Sequence, residues 1–122
     1  MYRISVEGHF DAAHYLRNYD GKCEKLHGHR YKVIVTVKTK KLNEIGLAYD
    51  FTDLKRHLGE VLAQFDHNCV NDVPPFDKLN ASAENIARTI YDQLKGKIDG
   101  DVVLESVAVW ESPQSCVTYT PD

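Results

Sequence analysis

The chain has no apolar run long enough to cross a bilayer, and its first residues, Met1-Tyr2-Arg3-Ile4-Ser5, lack the hydrophobic block of a secretory signal. The expectation is a cytoplasmic protein with no membrane partner. It also lacks an excess of basic charge. Fifteen Lys and Arg stand against eighteen Asp and Glu, a formal charge of -3, which excludes a whole-surface attraction to nucleic acid and leaves any anion site local. Cysteine is scarce: Cys23, Cys69 and Cys116 are odd in number and far apart, which argues for reduced thiols rather than a disulfide framework. Internal repeats and low-complexity tracts are absent too, so residues 1–122 read as one domain with a modest core.

What is present begins with alternation. Tyr2, Ile4, Val6, Phe10 and Ala12 share one parity while Arg3, Ser5, Glu7, His9 and Asp11 take the other, the pattern of a half-buried strand whose core side continues to His14. Polar residues 17–25 turn the chain. A second strand through Thr39 carries His27, His29, Tyr31, Val33, Val35 and Val37 on one side. If the two strands pair antiparallel, His14 comes opposite the His-Gly-His end and three imidazoles converge.

Asp50 to Asp53 offers N-caps for a helix whose apolar stripe is Phe51, Leu54, Leu58, Val61, Leu62 and Phe65. An irregular stretch, 66–75, contains Asp66-His67 and paired prolines. Ser82 caps a second helix by accepting from Glu84 or Asn85, with Ala83, Ile86, Ala87, Ile90 and Leu94 as its buried side and Gly96 as its stop. Residues 102–111 and 115–119, joined by Ser112-Pro113-Gln114, form a hairpin. The order is ββααββ, an α+β chain.

Three neutral imidazoles without a fourth protein ligand are the set zinc takes when one position stays open for water or substrate. A hydrogen-bonded histidine cluster, or a closed structural site completed by Cys23, are the competing readings. Cys23 in the field of a cation is a candidate thiolate base. Asp66-His67 offers a carboxylate that orients an imidazole for proton transfer, although such a dipeptide also serves as a turn device. Glu111 shares the parity of Val107 and Val109, and an inward carboxylate there suits a ring that presents an amide N–H beside an amino group. A solvated strand end is the alternative for that residue.

With Phe10-Asp11-Ala12-Ala13-His14, Cys23-x-x-x-His27-Gly28-His29, Asp50-Phe51, Asp66-His67, Ser82-Ala83-Glu84-Asn85 and Trp110-Glu111 in place, the chain resembles the 6-pyruvoyltetrahydropterin synthase and 6-carboxytetrahydropterin synthase family nearly end to end. The resemblance implies the tunnelling fold, a four-stranded antiparallel sheet with two helices on one face, assembled as a homohexamer of two trimers. It implies that His14, His27 and His29 hold Zn2+, that Cys23 is the catalytic thiol with Asp66 and His67 as proton-relay partners, and that Glu111 anchors the pterin. Ser82 matches a position that helps hold the ring, while Ala83 stands where some relatives carry a hydroxyl.

The spacing of Cys23 and His27 resembles the branch converting 7,8-dihydroneopterin triphosphate to 6-carboxy-5,6,7,8-tetrahydropterin, acetaldehyde and triphosphate, on the 7-deazaguanine route to queuosine. Glu24 also completes Glu-x-x-His-Gly-His, the pattern of a branch that makes 6-hydroxymethyl-7,8-dihydropterin for folate, so that product, or both, is the alternative. A zinc-stabilised pterin-binding protein without turnover is the reading from another class. Arg17, Lys22, Lys25 and Lys32 flank the motif as unranked candidates for the triphosphate.

Overall fold

The computed structural model describes the backbone of residues 1–122 and every side chain except that of Cys23. Strands β1 (Tyr2–His14) and β2 (His27–Thr39) are followed by helices α1 (Phe51–Leu62) and α2 (Ala83–Lys95), then by β3 (Val103–Ser112) and β4 (Ser115–Tyr119). The strands form one antiparallel sheet in the order β1-β2-β3-β4. Helix α1 packs over β1 and α2 over β3 and β4, so one face of the sheet is covered. Among the described residues no helix is long and apolar enough to cross a membrane.

β1 and β2 pair without a slip along their whole length, from Tyr2 opposite Thr39 to His14 opposite His27. The alternation of side chains explains this. Val6 meets Val35 and Phe10 meets Tyr31 on the helix side, while Arg3 meets Lys38 and Asp11 meets Arg30 on the other. A one-residue shift would exchange these two sets, placing buried valines in water. Gly8 lets α1 come close, since a Cβ there would lie 2.9 Å from a Leu62 methyl and 3.0 Å from one of Leu58.

The helix caps fall where expected, and the buried stripes differ in detail. Asp50 caps α1 by accepting from the Thr52 amide, and Ser82 caps α2 by accepting from Asn85 rather than Glu84. Phe51, expected on the buried stripe, is 56% exposed although it shares the helical face of Leu54 and Leu58, and it stands at the first residue of α1. Phe65 is fully buried but lies beyond the end of α1, and Tyr91 joins the buried side of α2 with its hydroxyl donating to the Leu104 carbonyl at 3.0 Å.

The connection between the helices looks irregular in sequence yet is tied to β1 at several points. The His67 amide donates to Asp11 O (2.7 Å) and the Ala13 amide to Asn68 O (3.2 Å), pairing with an edge that would otherwise lie open. Asn71, buried, accepts from the Tyr15 amide at 3.0 Å and donates to the Tyr15 carbonyl at 3.1 Å. Asn80 does the same for Arg17, at 2.8 and 3.0 Å, and the Arg17 guanidinium donates to Phe76 O and Leu79 O. These side chains substitute for a strand partner where β1 has ended.

At the centre, the ring of Phe10 stacks on Tyr31 with centroids 4.6 Å apart and leans on Phe65 at 5.4 Å. Truncating this ring removes apolar burial and leaves a cavity that β1 and β2 cannot close. Phe10→Ala is expected to lower stability by about 3–5 kcal/mol, read as a lower urea midpoint at unchanged slope; a loss under about 1 kcal/mol would show that the core is not centred there.

Candidate metal centre

His14 ends β1, and His27 and His29 begin β2, all on the helix side of the sheet. One ligand nitrogen from each lies within 4.8 Å of the others. Their ring centroids are 4.5 Å (His14 to His27), 5.1 Å (His14 to His29) and 4.8 Å (His27 to His29) apart, all at steep interplanar angles. A single small cation placed between them meets all three.

Hydrogen bonds decide which nitrogen faces that point. Nδ1 of His14 donates to the Ala81 carbonyl at 2.7 Å, and Nδ1 of His27 to the Lys25 carbonyl at 2.7 Å. A carbonyl only accepts, so both protons sit on Nδ1 and both Nε2 lone pairs are free. Nε2 of His14 is buried with no hydrogen-bond partner, although Glu111 Oε1 is 3.7 Å away. Burial, first, and the neighbouring imidazoles hold the His14 ring below its ordinary pKa against the opposing pull of Ala81 and Glu111. Burial also lowers His29, again partly opposed by Glu111. Neutral, lone-pair-bearing imidazoles are what a divalent metal requires, so these residues fit zinc.

Glu111 shares the parity of the buried Val107 and Val109, and its carboxylate comes 3.7 Å from His14 Nε2. The β3–β4 register shifts between Trp110 and Ser112, and Glu111 falls at the shift with its side chain 31% exposed. With His14, Ser82, Ala83 and Cys116 it lines a cavity of about 190 Å3. The Ser82 oxygen accepts from Asn85 N at 3.2 Å, which leaves its O–H free to donate into that cavity. Tyr31, fully buried, stands below the cluster. Its ring meets His14 at 5.6 Å and His29 at 5.5 Å edge-on, and its hydroxyl has no partner. Burial, then the Glu111 charge, push the Tyr31 phenol well above its ordinary range, so it keeps its proton.

Asp66 and His67 meet each other, Oδ2 to Nδ1 at 3.0 Å. The other Asp66 oxygen accepts from the Asp11 amide at 2.9 Å. That bond, outweighing partial desolvation and helped by the His67 ring, holds the Asp66 carboxyl below its ordinary range. His67 takes a left-handed backbone with φ 59°, fixed by its amide bond to Asp11. The His67 side chain is 80% exposed and, with Asp11, Gly28, His29 and Arg30, borders an open cleft of about 580 Å3. Among the described residues, His29 is the member of the imidazole cluster that borders this cleft. Glu24 is exposed in the short 3-10 turn Lys22–Glu24, and the side chain of Cys23, expected to supply the thiol, lies outside the described residues.

The carbonyls of Ala81 and Lys25 and the amide of Asp11 left no mark in the sequence, since a main-chain group has no residue signature. Tyr31 had one: it continues the odd-numbered face two residues beyond His29.

Comparison with known proteins completes the picture. A family model described as 6-pyruvoyl tetrahydropterin synthase matches residues 3–122. The 6-carboxy-5,6,7,8-tetrahydropterin synthase of Haemophilus influenzae is 34% identical over 98% of this chain and 99% of its own. That of a Synechocystis strain is 35% identical over 98% and 93%. Human 6-pyruvoyl tetrahydrobiopterin synthase is 38% identical over 81% and 70%. The structure of Caenorhabditis elegans 6-pyruvoyl tetrahydropterin synthase superposes with a TM-score of 0.90 at 28% identity, covering 99% of this chain and 96% of that one. By full-length sequence match and shared architecture, the chain belongs to the 6-pyruvoyl tetrahydropterin synthase family.

Proposed function

We propose that this chain is a zinc-dependent 6-carboxytetrahydropterin synthase of the cytoplasm, which with one water converts 7,8-dihydroneopterin triphosphate to 6-carboxy-5,6,7,8-tetrahydropterin, acetaldehyde and triphosphate for 7-deazaguanine synthesis. The observation that carries the reading is the set of three imidazoles, two with Nδ1 tied to carbonyls, aimed at one point beside Glu111. Full-length relatives bearing the name of that enzyme favour the product.

Zinc held by His14, His27 and His29 would polarise substrate oxygens and acidify the adjoining C–H bond. The protein's own groups do the remainder. The Glu111 carboxylate accepts from the amide N–H and amino group of the pyrimidine ring, and the Ser82 hydroxyl donates to the ring nearby. Cys23, as thiolate, takes the proton. His67, oriented by Asp66, returns and removes protons during the rearrangement and carbon–carbon cleavage. The high exposure of His67 suits a group that a neighbouring subunit completes, and the edges of β1 and β4 suit assembly into a homohexamer, a dimer of trimers.

Glu24 supports a second reading, formation of 6-hydroxymethyl-7,8-dihydropterin for folate. A Plasmodium vivax 6-pyruvoyltetrahydropterin synthase, solved as a variant in which a catalytic glutamate is replaced by cysteine, shares the fold at a TM-score of 0.77 and 25% identity over 97% of this chain and 96% of that one. Glu24, three residues before His27 in Glu24-x-x-His27-Gly28-His29, is the glutamate that supports this reading.

Incubation of zinc-loaded protein with 7,8-dihydroneopterin triphosphate is expected to release 6-carboxytetrahydropterin and acetaldehyde, identified by mass spectrometry. Cys23→Ala should lower that turnover by about 10²–10⁴-fold with zinc content unchanged. Glu24→Ala should leave it, and remove only any 6-hydroxymethyl product. Absence of turnover in a fully loaded protein, with pterin binding intact, favours the binding-only reading and ends this one.

Chelation gives a second expectation. Returning zinc at a hundredfold above its dissociation constant should stabilise the fold by about 2.7 kcal/mol, measured by thermal unfolding. The chelated chain carries a pH signature as well. His14 and His29 titrate below 6.5 when folded and near 6.5 when unfolded, so the unfolded chain gains the extra protons. The stability of the chelated protein should therefore be level just above pH 6.5 and fall as the pH drops through that value toward the lowered native pKa values. A rise in stability over that window would contradict the buried, neutral state of these rings.

A further inference from the structure

Apart from tyrosine, three polar residues are buried among the described ones: His14, Thr39 and Asn71. A buried polar side chain costs free energy unless its bonds are made, so each calls for an account. Thr39 closes the far end of β2, where its oxygen accepts from the Lys41 amide at 3.1 Å. His14 belongs to the imidazole cluster. Asn71 turns both ends of its amide to the residue that follows His14: Oδ1 accepts from the Tyr15 N–H at 3.0 Å, and Nδ2 donates to the Tyr15 carbonyl at 3.1 Å.

The β1–β2 ladder ends at the pair His14 and His27, so β2 supplies no ladder bond past it. On the other edge of β1 the connection between the helices bonds every second residue. The Asp11 carbonyl accepts from His67 N, and the Ala13 amide donates to Asn68 O. Tyr15 is next in that series, and there the Asn71 side chain stands in for a main-chain partner. His14 thus lies between two bonded residues. Asn71 is itself firmly mounted, in the short turn Val70–Asp72 whose Val70 is fully buried, just after the Cys69 bridge to Ala13. The Ala81 carbonyl fixes the rotation of the His14 ring, while Asn71 fixes the backbone from which that ring projects. A strand end released at Tyr15 would fray, and His14 with it.

We infer that Asn71 is a positioning residue for the metal: by bonding both main-chain groups of Tyr15 it holds His14 in place against His27 and His29, and so sets the affinity of the three-imidazole site for zinc. It touches neither metal nor substrate. The inference rests on the zinc-dependent function proposed above and adds to it a side chain that acts on the metal through a neighbour's backbone.

Zinc affinity, measured by chelator competition well below the unfolding temperature, tests it. Asn71→Ala is expected to bind zinc about tenfold more weakly, the low end for an outer partner of a metal ligand. Asn71→Ser, whose shorter hydroxyl makes at most one of the two bonds, should fall between that variant and the parent, and carries the test if the alanine variant does not fold. Asp50→Ala removes the α1 cap, which lines one cavity with Thr39 at the end of β2 away from His27. It should lower the unfolding temperature and leave zinc affinity as in the parent. In a His14→Ala background, Asn71→Ala should cost no further affinity, since the ligand it positions is gone. Unchanged zinc binding in the Asn71 variants overturns the assignment, as does equal weakening in Asp50→Ala or an undiminished loss when His14 is absent. A parent that binds no zinc would instead remove the metal from the proposed function, and this inference with it.

Discussion

Register between β1 and β2 is the constraint on which the rest of the molecule depends. Val6 against Val35 and Phe10 against Tyr31 can be buried together only if the two strands align as they do, and the same alignment sets His14 opposite His27 and two pairs along from His29. Folding and assembly of the three-imidazole cluster are thus one event. The apolar pairs supply the free energy, and the imidazoles, which gain little from burial themselves, are carried to the point of convergence at the strand ends.

What the strands bring together the irregular connection between the helices then fixes. Ala81, just before the α2 cap at Ser82, supplies the carbonyl that sets the His14 tautomer. Asn71 and Asn80 clamp the chain that leaves His14, and Asp66 and His67 sit on the β1 edge through the Asp11 amide and carbonyl. An element without regular structure is therefore the outer support of the site, and its polar side chains act where strand hydrogen bonds have run out.

Much of this was legible in the residues. Alternation in β1 and β2, the caps at Asp50 and Ser82 and the His-x-His spacing each have a direct local cause, and together they place the three imidazoles. What was not legible depends on contacts distant in sequence. Phe51 satisfies helical periodicity, yet as the first residue of α1 it stays exposed. Glu111 has the right parity, yet its approach to within 3.7 Å of His14 Nε2 depends on how the ends of β1 and β3 come together. The carbonyls of Lys25 and Ala81 could be identified as partners of histidine only once the chain had folded.

The central claim is that three imidazole nitrogens hold one cation while a fourth position remains open to a guest. Zinc K-edge X-ray absorption of the loaded protein reads this directly. The account predicts three nitrogen scatterers and one light oxygen scatterer, all at about 2.0–2.1 Å, with the oxygen replaced when a hydroxylated pterin is added. A sulfur scatterer at about 2.3 Å, the signature of Cys23 closing the shell, would contradict it.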